Sequence, residues 1–359
     1  MVLFKIIQYS LISIAALLIV YQLILVTSAL VSKKNESFHT VYNRSFLVII
    51  PCHNMSQLLA KTLYSLSGLI YPWNLYKLVI LADNCSDKTV EIARRFGLQV
   101  LEKNDNQNIG DNSIKWALGQ VEQWDEKFDA IVVIKTGSLI SSNYLQVMNY
   151  YLEKGSEVVQ SSDLLLAEPD KGKDRLVHLI HLLHNYMNPL GQKALGFNTR
   201  LSGNGMCFKS SILMKYPSSL QSIEKEQEYT LFLSLKGISV DFAPEARIWI
   251  AQKENSSKSK LSKIRSPGFG HSIINRYAKL FFSKPKWSVK ILFGFIMPPT
   301  VKLILGILAV LIINIILWLF SVIPPVFIWI WLVLAILEAV YIYSGIMLSK
   351  AMLSKLNGK

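Results

Sequence analysis

Apolar positions fall into two kinds of pattern along this chain, and each predicts a different element. Leu11–Val31 and Leu303–Ile323 hold no charged residue, and Val326–Met347 holds only Glu338. Each stretch is therefore long and apolar enough to cross a hydrocarbon core that takes about 20 residues of helix. The first reads as an uncleaved anchor: its apolar run is longer than a signal core, and Thr27-Ser28-Ala29 is a poor cleavage site. Between the first and second spans the pattern changes to short apolar runs alternating with helical periodicity. Phe46–Pro51, Lys77–Ala82, Gln99–Glu102 and Ala130–Lys135 read as strands, Ser56–Leu66, Asp87–Phe96 and Ser113–Glu122 as helices, and a further helix runs to about Lys236. That alternation predicts an α/β domain with a largely parallel sheet. The chain divides into an anchor over 1–31, an α/β domain over 45–270, an interfacial amphipathic segment over 271–302, a transmembrane hairpin over 303–348 and a tail over 349–359.

Composition sharpens the membrane reading. The 359 residues are 51% hydrophobic with a mean hydropathy of +0.33, too apolar for an ordinary soluble chain. Lys33, Lys34 and Arg44 follow the first span, Lys350, Lys355 and Lys359 follow the third, and the turn at Pro324-Pro325 is uncharged. The excess of basic residues on cytoplasmic loops then puts the N-terminus outside and the main domain and C-terminus in the cytoplasm. A net charge of +14, from 38 basic and 24 acidic residues, suits a face resting on anionic lipid. The basic residues are not clustered with stacking aromatics, which argues against nucleic acid as a partner. Cys52, Cys85 and Cys207 are too few and scattered for a disulfide framework or a zinc site, and read as reduced thiols. Lys253–Lys263 reads as a mobile loop, and His271–Pro299, mixing Arg276, Lys279 and Lys286 with Phe281, Phe282 and Trp287, as a segment lying along the cytoplasmic leaflet.

A sheet of this kind binds ligands at the carboxyl ends of its strands, so Pro51 to Asn54, Asp83-Asn84 and Lys135-Thr136-Gly137 should meet at one crevice. In order and spacing, Val48-Ile49-Ile50-Pro51-Cys52-His53-Asn54, Leu81-Ala82-Asp83-Asn84-Cys85-Ser86-Asp87, Leu201-Ser202-Gly203-Asn204-Gly205-Met206 and Pro244-Glu245-Ala246 resemble the family-2 glycosyltransferases of GT-A fold. Within them the chain looks most like the membrane-anchored bacterial enzymes of exopolysaccharide and glycolipid assembly. The resemblance covers about residues 45–270. It implies a UDP-type nucleotide sugar as ligand, a lipid-linked or polysaccharide acceptor, membrane lipid as surroundings and a protein partner in an assembly complex. It also implies that Pro51, His53, Asn54, Asp83 and Asn84 grip the nucleotide, and that Gly203, Asn204 and Gly205 admit donor or acceptor. The same Asp83-Asn84 and Ser86-Asp87 equally suit a turn and a helix cap.

The rest of the family's machinery is altered. The resemblance implies aspartates holding a divalent ion against the donor diphosphate where this chain has Lys135, Thr136 and Gly137, and an ammonium cannot ligate Mg²⁺ or Mn²⁺. No cofactor is therefore expected. A Gly-Lys-Gly is matched by Gly110-Asp111-Asn112, the Glu-Asp pair of the catalytic base by Lys225-Glu226, and the membrane-proximal Gln-x-x-Arg-Trp by residues 262–266, keeping only Arg265. Glu226 retains a carboxylate at the base position, and Lys135 retains positive charge near the diphosphate. Two functions follow: a non-catalytic partner or regulatory subunit, or an active transferase using Lys135 in place of the ion and Glu226 as base. His178, His181 and His184 lack carboxylate or cysteine partners nearby and read as partly buried helix residues before metal ligands. Glu338, inside the third span, is expected to bond across to Asn314 on the neighbouring helix.

Overall fold

The computed structural model describes residues 2–31, 41–105, 113–166, 172–217, 223–250 and 300–357. In chain order the elements are α1 (Val2–Val31), β1 (Phe46–Cys52), α2 (Ser56–Leu66), β2 (Tyr76–Asp83), α3 (Thr89–Arg95), β3 (Gln99–Lys103), α4 (Ser113–Val121), β4 (Ala130–Val133), β5 (Ser138–Ile140), α5 (Tyr144–Glu153) and β6 (Val158–Leu165). There follow α6 (Gly172–Leu182), a π-helical turn (Leu183–Met187), α7 (Asn188–Ala194), β7 (Met206–Lys209), α8 (Ser210–Lys215), α9 (Ile223–Leu235), β8 (Val240–Ile250), α10 (Thr300–Leu319) and α11 (Val326–Asn357).

The strands form one eight-stranded sheet in the order β3-β2-β1-β4-β7-β6-β8-β5. Side chains on β1 alternate between two cores, because successive residues of a strand point to opposite faces. Phe46, Val48 and Ile50 pack with Leu59 and Leu63 of α2 and Leu145 and Met148 of α5. Leu47 and Ile49 pack with Ile114 and Leu118 of α4 and Tyr229 and Leu233 of α9. Helices on both faces explain why this strand is an unbroken apolar run.

The expectation of a largely parallel sheet holds for half of it. β1 pairs in parallel with β2 and β4, and β2 with β3. Beyond β4 the sheet is mixed: β7 runs antiparallel to both β4 and β6, and β5 antiparallel to β8, while β6 and β8 are parallel with a register shift between Ser161 and Ser162. The register of the parallel half matters most for function. Phe46 lies beside Tyr76 and Ala130, and Cys52 beside Ala82, so β1, β2 and β4 end together at one edge.

Three helices, Leu3–Val31, Thr300–Leu319 and Val326–Ser354, are long and apolar enough to cross a membrane. Their outer faces expose Leu17, Leu305, Leu319 and Trp329, as lipid-facing helices do. α11 extends past the expected end of the third span at Met347. The helical segment from α6 to α7 bridges the sheet and these helices: Leu183, Tyr186, Met187 and Leu190 join Leu164 of β6 and Phe242 of β8, and also Val26 and Ala29 of α1 and Tyr341 of α11, in one cluster. Gly191 makes this possible, since a Cβ there would run into the backbone of Leu25.

The pairing expected for Glu338 is not the one found. Its Oε1 accepts from Gln22 Nε2 of α1 at 3.4 Å, whereas Asn314 Nδ2 donates within its own helix to Val310 O at 2.8 Å. Counting from the Pro324-Pro325 turn matches depth on neighbouring helices but not the direction in which a side chain points, and α1 lies where the bond is made. The loop over 253–263 lies outside the described residues, as does the interfacial segment apart from residues 300–302, which open α10.

Candidate functional site

The strand ends do converge, and short hydrogen bonds hold them together. Thr136 Oγ1 donates to Pro51 O at 2.8 Å and lies 2.7 Å from Cys52 Sγ, tying the end of β1 to the loop after β4. His53 Nδ1 lies 2.7 Å from Asp83 O, and Cys85 Sγ donates to Cys52 O at 3.4 Å. Asn54 takes a left-handed backbone conformation, φ 48°, which asparagine tolerates better than most residues. Its Oδ1 accepts from Ser86 N at 2.8 Å and Asp87 N at 3.2 Å. Asp87 in turn accepts from Thr89 N and Ser56 N, so the turn and cap reading of this stretch is realised. The contacts of Thr89 and Ser56 with Asp87 hold its carboxyl below the usual range despite the opposing effect of burial.

Asp83 is buried, and its carboxylate is engaged by its own chain. Ser113 Oγ donates to Oδ2 at 2.5 Å, Asn84 Nδ2 to Oδ1 at 2.8 Å, and Lys103 Nζ lies 3.6 Å from Oδ1. A carboxylate offers about four lone-pair sites, and these contacts already use most of them.

On the other side of the same edge, the loop expected to admit donor or acceptor is bound to the Lys135-Thr136-Gly137 stretch. Asn204 Oδ1 accepts from Lys135 N at 2.9 Å, Asn204 Nδ2 donates to Ser138 Oγ at 3.0 Å, and Gln160 Nε2 donates to Asn204 O at 2.7 Å. Gly137 N donates to Thr62 Oγ1 of α2 at 2.9 Å. Gly203, at φ 82°, lies flush against Glu226, and a Cβ at this position would overlap the carboxylate. No residue but glycine fits both the backbone angle and the space.

The centre of the arrangement is an ion pair. Lys135 Nζ donates to Glu226 Oε1 at 3.3 Å; the lysine side chain is 38% exposed and the glutamate 0%. Burial pushes the Glu226 carboxyl up to about 7 even though Lys135 opposes the shift. Asp163 of β6 faces the same pair. Burial raises its carboxyl to about 7, with Lys135 lowering and Glu226 raising it. Among the described residues neither Asp163 Oδ1 nor Glu226 Oε2 has a hydrogen-bond partner. The cluster thus carries two carboxyl groups around one ammonium.

Sequence reading missed Asp163. The signal was present, because Gln160-Ser161-Ser162-Asp163 is a run of polar residues inside a strand that is buried almost throughout, and buried polar groups need a structural or chemical reason.

These residues do not fit a divalent ion. Mg²⁺ and Mn²⁺ take oxygen ligands, yet the side chains at the position are an ammonium, a hydroxyl already donated to Pro51, and none at Gly137. The nearest carboxylate is paired with the ammonium. Among the described residues no group of three His, Cys, Asp or Glu side chains is placed to hold a metal.

Behind the site, His181 and His184 are bonded within the fold. Asn185 Nδ2 donates to His181 Nδ1 at 2.9 Å, so His181 carries its proton on Nε2 and donates it to Asp163 O at 3.0 Å. His184, in the π-helical turn, lies 3.1 Å from Thr300 Oγ1. Burial pulls their basicities down to about 4 and about 3, so both are neutral near pH 7. The proposed sites Gly110-Asp111-Asn112 and Arg265 lie outside the described residues.

Comparison with known proteins adds the family. No curated protein sequence matches the chain. Among solved structures, a mannosyltransferase from Pyrobaculum calidifontis in complex with GDP-Man and Mn²⁺ aligns at 13% identity and TM-score 0.49, over 93% of this chain and 97% of its own. TarS 1–349 from S. aureus with UDP aligns at 14% identity and TM-score 0.42, over 67% of this chain and 73% of its own. Glucosyl-3-phosphoglycerate synthase from Mycobacterium tuberculosis, with Mn²⁺, UDP and glucosyl-3-phosphoglycerate, gives 14% and 0.42, over 70% and 85%. A family model described as glycosyltransferase like family 2 matches residues 43–266, more than half of the chain, with the site above falling inside it. The chain therefore belongs to the family-2-like glycosyltransferases, and its mixed α/β sheet domain is of the GT-A type.

Proposed function

We propose that this protein is a membrane-anchored relative of the family-2 glycosyltransferases that does not itself carry out ion-assisted sugar transfer, and that it acts as a partner subunit beside an active enzyme of envelope polysaccharide or glycolipid assembly. The observation that carries this is the Lys135–Glu226 contact at 3.3 Å. Ion-assisted transfer needs a cation on the departing diphosphate and a separate free carboxylate to take the acceptor proton. Here the cationic and basic groups are spent on each other. Stabilising the leaving group is worth several kcal/mol, so its loss costs orders of magnitude in rate. The three apolar helices support anchoring, and the lysines flanking them favour a cytoplasmic α/β domain with the N-terminus outside.

A second reading, metal-independent transfer with Glu226 as base, draws on the shift of that carboxyl to about 7, where a general base works best. Purified full-length protein supplied with UDP- and GDP-sugars, with and without Mn²⁺, separates the two when released sugar is measured. The expected result is none above background. Chelator-sensitive turnover would overturn the proposal, and chelator-resistant turnover abolished in Glu226→Gln would establish the second reading.

A further inference from the structure

We propose that the Lys135–Glu226 pair is a proton-gated anion site: the crevice binds the diphosphate of a nucleotide without a divalent ion, once Glu226 takes up a proton and releases the Lys135 ammonium. This rests on the reading above, in which no ion occupies the strand ends, and names the ligand and the regulation of that site.

The geometry is asymmetric in a way that favours such a gate. Lys135 is the half-exposed member of the pair and Glu226 the fully buried one. An incoming anion therefore meets the ammonium, while the carboxylate stays behind it against Gly203. An ammonium has three donors, and the contact with Glu226 is the only ion pair formed by Lys135 among the described residues. The groups facing Glu226 are Lys135 from the end of β4 and Asp163 from β6. Behind Asp163 stands His181 of α6, neutral and donating to its carbonyl, and beyond it Arg200, which acts on His181 and His184 and whose guanidinium burial pulls down to about 10.

With both carboxyl groups ionised, the cluster of Lys135, Glu226 and Asp163 sums to one negative charge and repels a diphosphate. One proton on Glu226 makes it neutral and leaves Asp163 as the one carboxylate beside the ammonium, and a second makes it cationic. Glu226 Oε2 and Asp163 Oδ1, each without a hydrogen-bond partner among the described residues, are the places where those protons reside. Since Glu226 titrates at about 7, its protonated fraction rises from about a tenth at pH 8 to about nine-tenths at pH 6. Apparent affinity scales with the fraction of molecules competent to bind, so the expected gain is roughly tenfold.

The test is titration calorimetry of UDP into the full-length protein in detergent, with EDTA, from pH 8 to pH 6. Roughly tenfold tighter binding at pH 6 is expected. Glu226→Gln should bind more tightly at pH 8 than the parent does at that pH, and show a shallower pH slope, the remainder coming from Asp163 and from UDP's own titration. The double variant Lys135→Met with Glu226→Gln removes the ammonium together with its paired carboxylate, its fold is checked by thermal melting at pH 6 where Asp163 is largely protonated, and it should lose binding. The proposal is overturned by an unchanged pH slope in Glu226→Gln, by undiminished binding in the double variant, by binding that appears only with Mn²⁺, or by no UDP binding at any pH. Sugar release from a UDP-sugar, measured in the same samples, separates the two ideas. Turnover would sink the non-transferring reading and leave the gate, whereas absent binding would sink the gate and leave that reading.

Discussion

The strand-end crevice and the helix bundle each bury a glutamate, and they neutralise it differently. Glu226 is held by an ammonium at 3.3 Å, while Glu338 is held by the neutral amide of Gln22 at 3.4 Å, which also donates to Thr300 Oγ1 at 3.4 Å. In both, the second carboxylate oxygen has no hydrogen-bond partner among the described residues. The crevice has a full opposite charge reaching out to solvent, so protonation there can be felt by a ligand. In the bundle the neutral amide of Gln22 links three helices that also share an apolar cluster, and this suits a fixed junction rather than a switch.

Breaking each pair in turn sharpens the contrast. Lys135→Met leaves Glu226 buried beside Asp163 without a counter-charge, and removing one partner of a buried pair costs roughly 3–5 kcal/mol; a large drop in urea midpoint at pH 8 is expected, and an unchanged midpoint would show that the pair is not formed. The pH dependence comes next. The folded-state acidity of Glu226 lies at about 7, above its ordinary value of 4.5, so the folded state holds the proton more tightly than the unfolded one. Its contribution is therefore greatest below pH 4.5 and is lost as pH rises to 7, by on the order of a few kcal/mol. Asp163 acts with the same sign from 3.8 upward, whereas His181, lowered from 6.5 to about 4, costs stability as pH falls between those values. Glu226→Gln should flatten the upper limb of a melting-temperature profile measured from pH 5 to 8.

In the bundle, Glu338→Leu strands the Gln22 amide and should cost about 1–3 kcal/mol, while Gln22→Leu with Glu338→Leu should come close to neutral, because removing both polar partners spares the desolvation penalty. Thermal melts in one detergent check this, and a double variant as damaged as the single would show a more important role for the pair. Smallest of all is the exposed pair of Arg95 and Glu91 on α3 at 2.5 Å. Glu91→Ala should cost no more than about 0.5 kcal/mol, setting the baseline against which the buried pairs are judged.

Much of this was legible in the residues. α2 has the bounds read from its pattern, and β1 to β4 lie within a residue or two of theirs, since a fully buried strand or an amphipathic helix writes its period into the sequence. The meeting of Pro51, His53, Asn54, Asp83, Lys135, Thr136 and Gly137 followed from strand order alone. What pattern did not convey was whom each side chain meets. Asp163 sits on a strand outside the recognised motifs, and Gln22, the partner of Glu338, is far away in sequence. The docking of α7 on α1 depends on Gly191 meeting Leu25, a contact between segments whose own periodicities say nothing of each other.

By itself the sequence determined three stretches long and apolar enough to span a membrane, the alternating α/β domain and the presence of Lys135 at the carboxyl end of the fourth strand, because these depend on local hydrophobic period and residue chemistry. The tertiary structure decided that Lys135 closes on Glu226, that Asp163 joins them and that Glu338 turns to Gln22. The reason is physical: a buried charge takes the nearest partner in space, and proximity between residues ninety or three hundred positions apart is set by packing rather than by any local pattern.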